Sequence, residues 1–362
     1  MKICFCIDTM ESGGAERVAS ILCNEFASLG HNITLLMISE KEPKSFYFLS
    51  NDVKLVPLLS NATNTKPNFL TKISLCKSFF HKNDFDVTIS FLPNVNVCVW
   101  LATRKIKHFV HIVSERNNPA KSPTNRLKRI LKEQSFKHSN GIVYQTEEAK
   151  AYFKNKFKCP SLVLKNPVRV PTVSQKSKEN PSNYIVSVGR LEKQKNYELL
   201  ITSFAIFSAR HPEAILKIYG VGSLKEEIIQ LIKNNHLEEK VILCGVSSNW
   251  AEENINCSLF INCSLFEGMP NSLLEALANG FPCIASDCPS GGNKELLKYD
   301  NGLLFANNNK NDLVQKMELL YHNKDLTERF RKNSQALFKE YNSTNIAQQW
   351  IEFISMVANK NE

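Results

Sequence analysis

Short apolar segments alternate with longer segments of helical periodicity along most of the chain. The apolar segments have the length of buried strands. Strands that alternate with helices form parallel sheets, because parallel strands need long crossover connections. The pattern therefore predicts an α/β fold made of doubly wound parallel sheets covered by helices. The predicted strands are Ile3–Ile7, Ile33–Ile38, Lys54–Leu58, Val87–Phe91, Phe109–Val113, Gly141–Tyr144, Tyr184–Val188, Ile215–Tyr219, Val241–Cys244, Leu259–Cys263, Pro282–Ser286 and Gly302–Phe305.

A polar stretch at residues 166–183, which contains three prolines, separates two such alternations. This composition is typical of a linker between domains. A chain of 362 residues also has the length of two domains of about 150 residues each. We therefore expect one domain at 1–168, a second at 169–344, and a terminal helical segment at 345–362.

The cysteines and the hydropathy indicate a cytoplasmic protein. The 11 cysteines are odd in number, lie mostly in apolar segments and form no C-x-x-C pair, so we expect buried free thiols and no metal site. No run approaches the ~18 apolar residues of a membrane-spanning helix. The first residues also lack the cleavage site of a signal peptide.

Positive charge is concentrated in the first half of the chain. Residues 1–170 hold 25 lysines and arginines against 13 acidic residues, a net charge of +12, whereas residues 171–362 have a net charge of −2. An excess of this kind favours an anionic partner: a membrane surface, a lipid pyrophosphate or a nucleic acid.

Two predicted helices of the first half, 69–82 and 125–137, are basic and amphipathic. One interpretation is contact with a membrane surface, with the apolar edge inserted and the cations on anionic lipid. The other is an ordinary surface helix whose lysine stems cover apolar neighbours. The candidate contact residues are Lys72, Lys77, Arg126, Arg129 and Lys132.

The stretch Phe266–Glu275 has the strongest chemical pattern in the chain. Glu267 follows a predicted strand, and Glu275 lies about two turns further on, in a helix that Asn271 or Ser272 is expected to cap. Free N–H groups at a helix start bind phosphate, and carboxylates bind paired hydroxyls. The pattern therefore suits a sugar nucleotide, although an acidic turn before a solvated helix would look the same.

Three further motifs offer weaker evidence. Gly13-Gly14 at the first strand-to-helix turn would let the backbone approach a ligand, or form a plain turn. Arg190 and Lys195 follow a predicted strand and could bind a pyrophosphate, or lie in a solvated basic loop. Asp84-Phe85-Asp86 matches the D-x-D of metal-dependent glycosyltransferases, but turn residues surround it and we interpret it as a turn.

Four segments in order resemble retaining glycosyltransferase family four, which has the GT-B fold: Ser12–Arg17, Val188–Asn196, the E-G-M-P-N-S-L-L-E stretch from Glu267 to Glu275, and Ser290–Gly292. The resemblance implies two Rossmann-like domains that face each other across a cleft. The first domain would bind the acceptor and the second a UDP-sugar. The last helix would cross back to the first domain.

The resemblance also implies roles for residues, with no metal or other cofactor. Glu275 would hold the ribose hydroxyls, Glu267 the sugar, and Arg190 with Lys195 the diphosphate. Many family members have a sugar-contacting histidine near position 116, where this chain has Arg116, so Arg116 joins Glu267, Arg190 and Lys195 as a catalytic candidate. The donor-binding candidates are Gly13, Gly14, Gly268, Met269, Pro270, Asn271, Ser272, Leu273, Glu275, Gly245 and Val246.

The expected activity is transfer of a hexose or N-acetylhexosamine to a lipid-linked glycan in surface polysaccharide assembly, by a peripheral protein at the inner face of the cell membrane. One alternative is a nucleotide-sugar 2-epimerase on the same fold. Another is a non-catalytic protein that binds anionic lipid or nucleic acid. The absence of a basic-aromatic stripe and the near-neutral second half disfavour nucleic acid.

Overall fold

The computed structural model describes all residues except 61–66, 107–108, 118, 121, 155, 170–181, 290 and 361–362. The chain divides into two compact units: Met1–Pro167 with Ser343–Glu362, and Val168–Asn342. Most of the predicted linker at 166–183 lies outside the described residues, because residues 170–181 are not described.

The described part of the first unit forms a sheet of seven parallel strands in the order β3-β2-β1-β4-β5-β6-β7. The strands are β1 Lys2–Ile7, β2 Asn32–Met37, β3 Val53–Pro57, β4 Val87–Phe91, β5 His111–Glu115, β6 Gly141–Tyr144 and β7 Ser161–Val163. The helices between them are α1 Gly14–Ser28, α2 Phe69–Lys82, α3 Pro93–Thr103, α4 Arg126–Lys137 and α5 Glu147–Tyr152.

The second unit repeats this plan with six parallel strands in the order β10-β9-β8-β11-β12-β13 among the residues described. The strands are β8 Tyr184–Val188, β9 Ile215–Tyr219, β10 Val241–Gly245, β11 Leu259–Asn262, β12 Cys283–Asp287 and β13 Leu303–Ala306. The helices are α6 Tyr197–Arg210, α7 Lys225–Asn234, α8 Trp250–Glu253, α9 Asn271–Ala278, α10 Gly292–Leu296, α11 Lys310–Tyr321 and α12 Lys324–Tyr341, with a 3₁₀ turn at Lys193–Lys195.

Each sheet is buried on both faces, as predicted from the unbroken apolar strands. In β1, Ile3, Phe5 and Ile7 belong to one core cluster, whereas Cys4 and Cys6 point into another on the opposite face. All eleven cysteines lie among the described residues, where none is part of a disulfide, and nine of them are buried. The prediction of two doubly wound parallel sheets is thus confirmed.

The helical periodicity from Asp325 to Val357 predicts one long helix. The structure has two helices there, because the chain turns at Asn342 between α12 and α13 Ser343–Asn359. The carbonyl of Tyr341 accepts the N–H of Val168 at 2.8 Å. Within the first unit, Ser343 and Thr344 donate hydroxyl hydrogen bonds to Glu25 of α1, at 2.6 and 3.1 Å. Helix α13 then buries Trp350 in the core of the first unit.

Several polar side chains lie deep in the first unit. His111 is 3% exposed and its Nε2 lies 2.7 Å from the hydroxyl of Ser90. Burial lowers the pKa of His111 to about 3, so the ring is neutral in the folded protein. Glu115 and Lys132 form a buried ion pair. Burial raises the pKa of Glu115, and the Lys132 ammonium opposes that shift.

The neutral His111 predicts a loss of stability in acid. The unfolded protein binds a proton at His111 below its ordinary pKa of about 6.5, while the folded protein binds it only near pH 3, so stability falls as pH drops through this window. This effect lowers the free energy of unfolding of the wild type by up to about 1.4 kcal/mol per pH unit, and His111→Gln should abolish that contribution. Urea unfolding of both proteins at pH 7.5, 6 and 5 measures their free energies of unfolding. The exposed His81→Gln is the control, and parallel profiles for His111→Gln and wild type would contradict the assignment.

Candidate functional site

Glu267 lies where the chain leaves β11 at the carboxyl edge of the second sheet. Its side chain is nearly buried and forms an ion pair with Lys195. It also accepts hydrogen bonds from the hydroxyl of Ser264 at 2.7 Å and from the amide of Gln194 at 3.3 Å. These contacts offset the cost of burying a carboxylate and hold it in one position.

Lys195 reaches Glu267 because two loops meet at this edge. Strands β8 and β11 are neighbours in the sheet. In the loop after β8, the carbonyl of Gln194 accepts a hydrogen bond from the N–H of Leu265, which follows β11, at 2.8 Å. The Lys195 stem lies over Gly189, where an added Cβ would stand 2.8 Å from Lys195 Cε. The structure therefore joins two residues that the sequence predicts only to lie at one edge.

A chain of buried hydrogen bonds supports the loop that carries Glu267. The carbonyl of Ser264 accepts the hydroxyl of Ser286 at 2.5 Å, and the carbonyl of Ser286 accepts the amide of Asn293 at 2.8 Å. The N–H of Ser264 donates to Asn262 at 3.1 Å. All four residues are at most 4% exposed. The support extends from β11 to α10, so the loop that carries Glu267 is anchored in the core.

Glu275 lies in α9, within hydrogen-bond distance of an indole. Trp250 Nε1 donates to the Glu275 carboxylate at 3.1 Å, and the Trp250 ring packs against Phe260 and Phe281. Helix α9 begins at Asn271 after its N-cap residue Pro270, which makes no side-chain cap hydrogen bond. The expected cap by Asn271 or Ser272 is therefore wrong, because Pro270 already occupies the N-cap position.

The Gly291-Gly292 pair has a steric explanation. The carbonyl oxygen of Gly268 lies so near Gly292 that an added Cβ would stand 1.8 Å from it. Gly291 has a φ of 70°, in the left-handed region that favours glycine. The two glycines thus allow the loop between Glu267 and α9 to rest on the start of α10. Ser290, the third residue of that motif, lies outside the described residues.

The other candidates of the second unit lie at the same edge. Arg190 follows β8 and is exposed, in a loop where Glu192 accepts the N–H and the hydroxyl of Ser223, each at 2.9 Å. Gly245 is the last residue of β10, and the exposed Val246 follows it. Because the strands are parallel, loops after β8, β10 and β11 all emerge at the carboxyl edge, where open α/β sheets bind ligands.

Two candidates of the first unit follow β1 and β5, at the carboxyl edge of its own sheet. Gly13 is the N-cap of α1, and its carbonyl accepts the hydroxyl of Tyr47 at 3.1 Å. Arg116 lies 4.3 Å above the Phe91 ring and donates to Asn166 at 2.7 Å. Burial lowers the pKa of Arg116 to about 9, so the guanidinium remains charged at pH 7.

The expected lipid-contact residues differ in exposure. Lys132 is 1% exposed, pairs with Glu115 and donates to the carbonyl of Ser122 at 3.1 Å, so the prediction that Lys132 contacts a membrane is wrong. Lys72 is half-buried and donates to the hydroxyl of Ser39 at 2.6 Å. The others are Lys77 and Arg126, which are exposed, and Arg129, which is half-buried.

The D-x-D motif lies at the opposite edge of the first sheet. Asp86 precedes β4, and its carboxylate accepts the N–H of Lys2 at the start of β1, at 2.7 Å. This position agrees with the interpretation as a turn. Among the described residues, no helix combines the length and the hydropathy needed to cross a membrane.

Sequence analysis missed three side chains at the site: Gln194, Ser264 and Trp250. Ser264, three residues before Glu267, had a usable signal, because serine at a turn often bonds a residue nearby in sequence. Gln194 lies between Lys193 and Lys195, and the sequence pattern of that loop indicated only a charged site. Trp250 is 25 residues from Glu275, and no local pattern links them.

Comparison with known proteins agrees with this architecture. The family model described as Glycosyltransferase Family 4 matches residues 12–171, and the one described as Glycosyl transferases group 1 matches residues 171–337. A Campylobacter jejuni relative is 28% identical over 99% of both chains; it is named GalNAc-alpha-(1->4)-GalNAc-alpha-(1->3)-diNAcBac-PP-undecaprenol alpha-1,4-N-acetyl-D-galactosaminyltransferase.

Two solved structures share the fold. Sucrose-phosphate synthase from Thermosynechococcus elongatus superposes with a TM-score of 0.82 at 15% identity, over 98% of both chains. Anabaena HepE in complex with UDP and glucose superposes with a TM-score of 0.79 at 16% identity, over 98% of this chain and 100% of that one. Since the two family models together span residues 12–337, the chain is a glycosyltransferase with the GT-B fold.

Proposed function

We propose that this glycosyltransferase transfers a hexose or N-acetylhexosamine from a UDP-sugar to a lipid-linked glycan, with retention of the anomeric configuration. The observation that carries the proposal is the cluster at the carboxyl edge of the second sheet: the Glu267–Lys195 pair, the start of α9, and Glu275 about one turn along that helix. A Campylobacter jejuni relative named for an undecaprenol-linked glycan and a fold neighbour in complex with UDP and glucose support the substrate classes.

In this proposal Glu275 binds the ribose hydroxyls of the donor. A carboxylate accepts two hydrogen bonds from adjacent hydroxyls with good geometry. The indole N–H of Trp250 orients that carboxylate before the donor arrives, since its ring is held in the core. The backbone of Gly245 and Val246 contacts the base, and Glu267 with the backbone of Gly268–Asn271 contacts the sugar.

The leaving diphosphate meets positive charge from three sources. Arg190 and Lys195 are cations at the carboxyl edge, and the first turn of α9 directs N–H groups and the positive end of the helix dipole there. Such charge stabilises a departing diphosphate, so the proposed reaction requires no metal ion. Gly13-Gly14 and Arg116 are the residues that we assign to the donor from the first unit.

For retention, we propose attack from the face that the diphosphate leaves. The bond between the anomeric carbon and the UDP oxygen breaks, the acceptor oxygen bonds to the same face, and its proton passes to the departing phosphate. Glu267 is paired with Lys195 and accepts bonds from Ser264 and Gln194, which makes it a weak nucleophile. We therefore assign Glu267 to holding the sugar rather than to a covalent intermediate.

The first unit presents a basic surface that suits a lipid-linked acceptor. Leu70 at the start of α2 is 74% exposed, and Leu127 at the start of α4 is 64% exposed. Arg126 and Lys128 flank Leu127 and are also exposed. Helices that follow parallel strands begin at the carboxyl edge, so both helix starts lie on the edge that holds Gly13 and Arg116. We propose that this surface rests on anionic lipid at the inner face of the membrane.

The central test is release of UDP from a panel of sugar nucleotides, with and without a polyprenyl-diphosphate glycan. We expect release from one donor that depends on the acceptor. Glu275→Gln should lower it at least about tenfold at subsaturating donor, because hydrogen bonds to a charged group contribute about 1.5–3 kcal/mol each.

The exposed helix residue Glu226, changed to Gln, is the matched control and should retain full activity. NMR of the product's anomeric linkage tests retention separately. Recovery of an altered nucleotide sugar without an acceptor would instead indicate the epimerase. No reaction with any donor would overturn the proposal of UDP-sugar transfer.

A second prediction concerns Trp250. Trp250→Phe preserves the ring packing on Phe260 and Phe281 but removes the N–H that bonds Glu275. UDP should then bind at least about tenfold more weakly, since a hydrogen bond to a charged group contributes about 1.5–3 kcal/mol. Isothermal titration calorimetry measures the Kd. Trp100→Phe in the first unit is the control, and an unchanged Kd for Trp250→Phe would remove Trp250 from the site.

A third prediction tests the lipid surface. Reversing two exposed cations in Arg126→Glu with Lys128→Glu should reduce flotation with anionic liposomes at least about tenfold, because each basic residue near such a surface contributes about 1 kcal/mol. The control reverses Lys225 and Lys294, two exposed cations of the second unit. Flotation that persists in the first variant would show that this basic surface is merely solvated.

A further inference from the structure

A cluster of metal-ligating side chains joins α6 to α11 in the second unit. His211 is the C-cap of α6, and His322 is the C-cap of α11, one turn after Glu318. Their ligand atoms all lie within 4.8 Å of one another. His211 Nε2 is 2.8 Å from Glu318 Oε2, and the two imidazole rings are 4.8 Å apart between centroids.

The groups around this cluster resemble the surroundings of metal ligands. The second nitrogen of His211, Nδ1, lies 3.9 Å from the carboxylate of Glu213. Histidines that bind metal usually direct their other nitrogen to a carboxylate or carbonyl, which fixes the ring. The second oxygen of Glu318 accepts a bond from Arg210 at 3.2 Å, so its partner oxygen is the one that faces the histidines.

We propose that His211, Glu318 and His322 bind one Zn²⁺ ion, with water as the fourth ligand. Two imidazoles and one carboxylate form a ligand set that zinc favours and that magnesium and calcium do not. Zinc bonds of about 2.0–2.2 Å require small rotations of these side chains from the separations in the structure. His322 is exposed and can rotate towards the other two.

The site is separate from the donor site. His211 follows α6 and therefore lies at the amino edge of the sheet, whereas Lys195 precedes α6 at the carboxyl edge. The 14 residues of α6 place the two ends about 20 Å apart. A bound ion would connect two neighbouring helices whose contact is otherwise made by side chains such as Phe207 and Tyr321. Its role is to stabilise the second unit.

The test titrates ZnCl2 into metal-free protein from which any affinity tag has been removed. Calorimetry should give one site per chain, and the melting temperature should rise with ZnCl2 but not with MgCl2. His322→Ala and Glu318→Gln should each weaken zinc binding by more than about tenfold. Co²⁺ should produce visible absorption bands in the wild type that both variants lose.

The control is His81→Ala, which removes an exposed histidine outside the cluster and should bind zinc as the wild type does. Circular dichroism of the zinc-free variants checks that they fold. The proposal is overturned if the wild type binds no zinc, if MgCl2 raises the melting temperature equally, or if binding survives in His322→Ala and Glu318→Gln. Transfer activity plays no part in these measurements.

Discussion

A nearly buried carboxylate at the end of a parallel strand organises the second unit. Glu267 would cost several kcal/mol to bury alone, and its burial is offset by Lys195, Ser264 and Gln194. These partners come from the loop of the neighbouring strand and from the strand end itself. The loop that follows Glu267 rests on the start of α10, where Gly268 closely approaches Gly292. A preorganised carboxylate of this kind can bind sugar hydroxyls without rearrangement.

The first unit shows that net charge and surface charge are different properties. Residues 1–170 have an excess of 12 positive charges, yet Lys132 is buried against Glu115 and Lys72 donates to Ser39. Exposed cations remain at the start of α4, beside exposed leucine and isoleucine side chains. The proposed lipid surface is therefore narrower than the charge count indicates.

Local patterns predicted most of the fold, and their errors have local causes. Strand positions followed from apolar runs, and both sheets appear with parallel strands. β7 was missed because three residues are too short to show a period. The break between α12 and α13 was missed because helical periodicity continues across Asn342, whereas the carbonyl of Tyr341 bonds to Val168, far away in sequence. A hydrogen bond of that kind leaves no trace in a window of neighbouring residues.

The sequence by itself determined the fold class, the order of the elements and the edge at which the candidate residues emerge, because hydrophobic period and motif spacing are local properties. Only the tertiary structure decided which side chains meet. Lys195 and Glu267 are 72 residues apart, and His211 and Glu318 are 107 apart. Each pair forms because strand order and helix packing bring distant loops together. Whether a lysine is exposed or buried depends on those same long-range contacts, which periodicity does not encode.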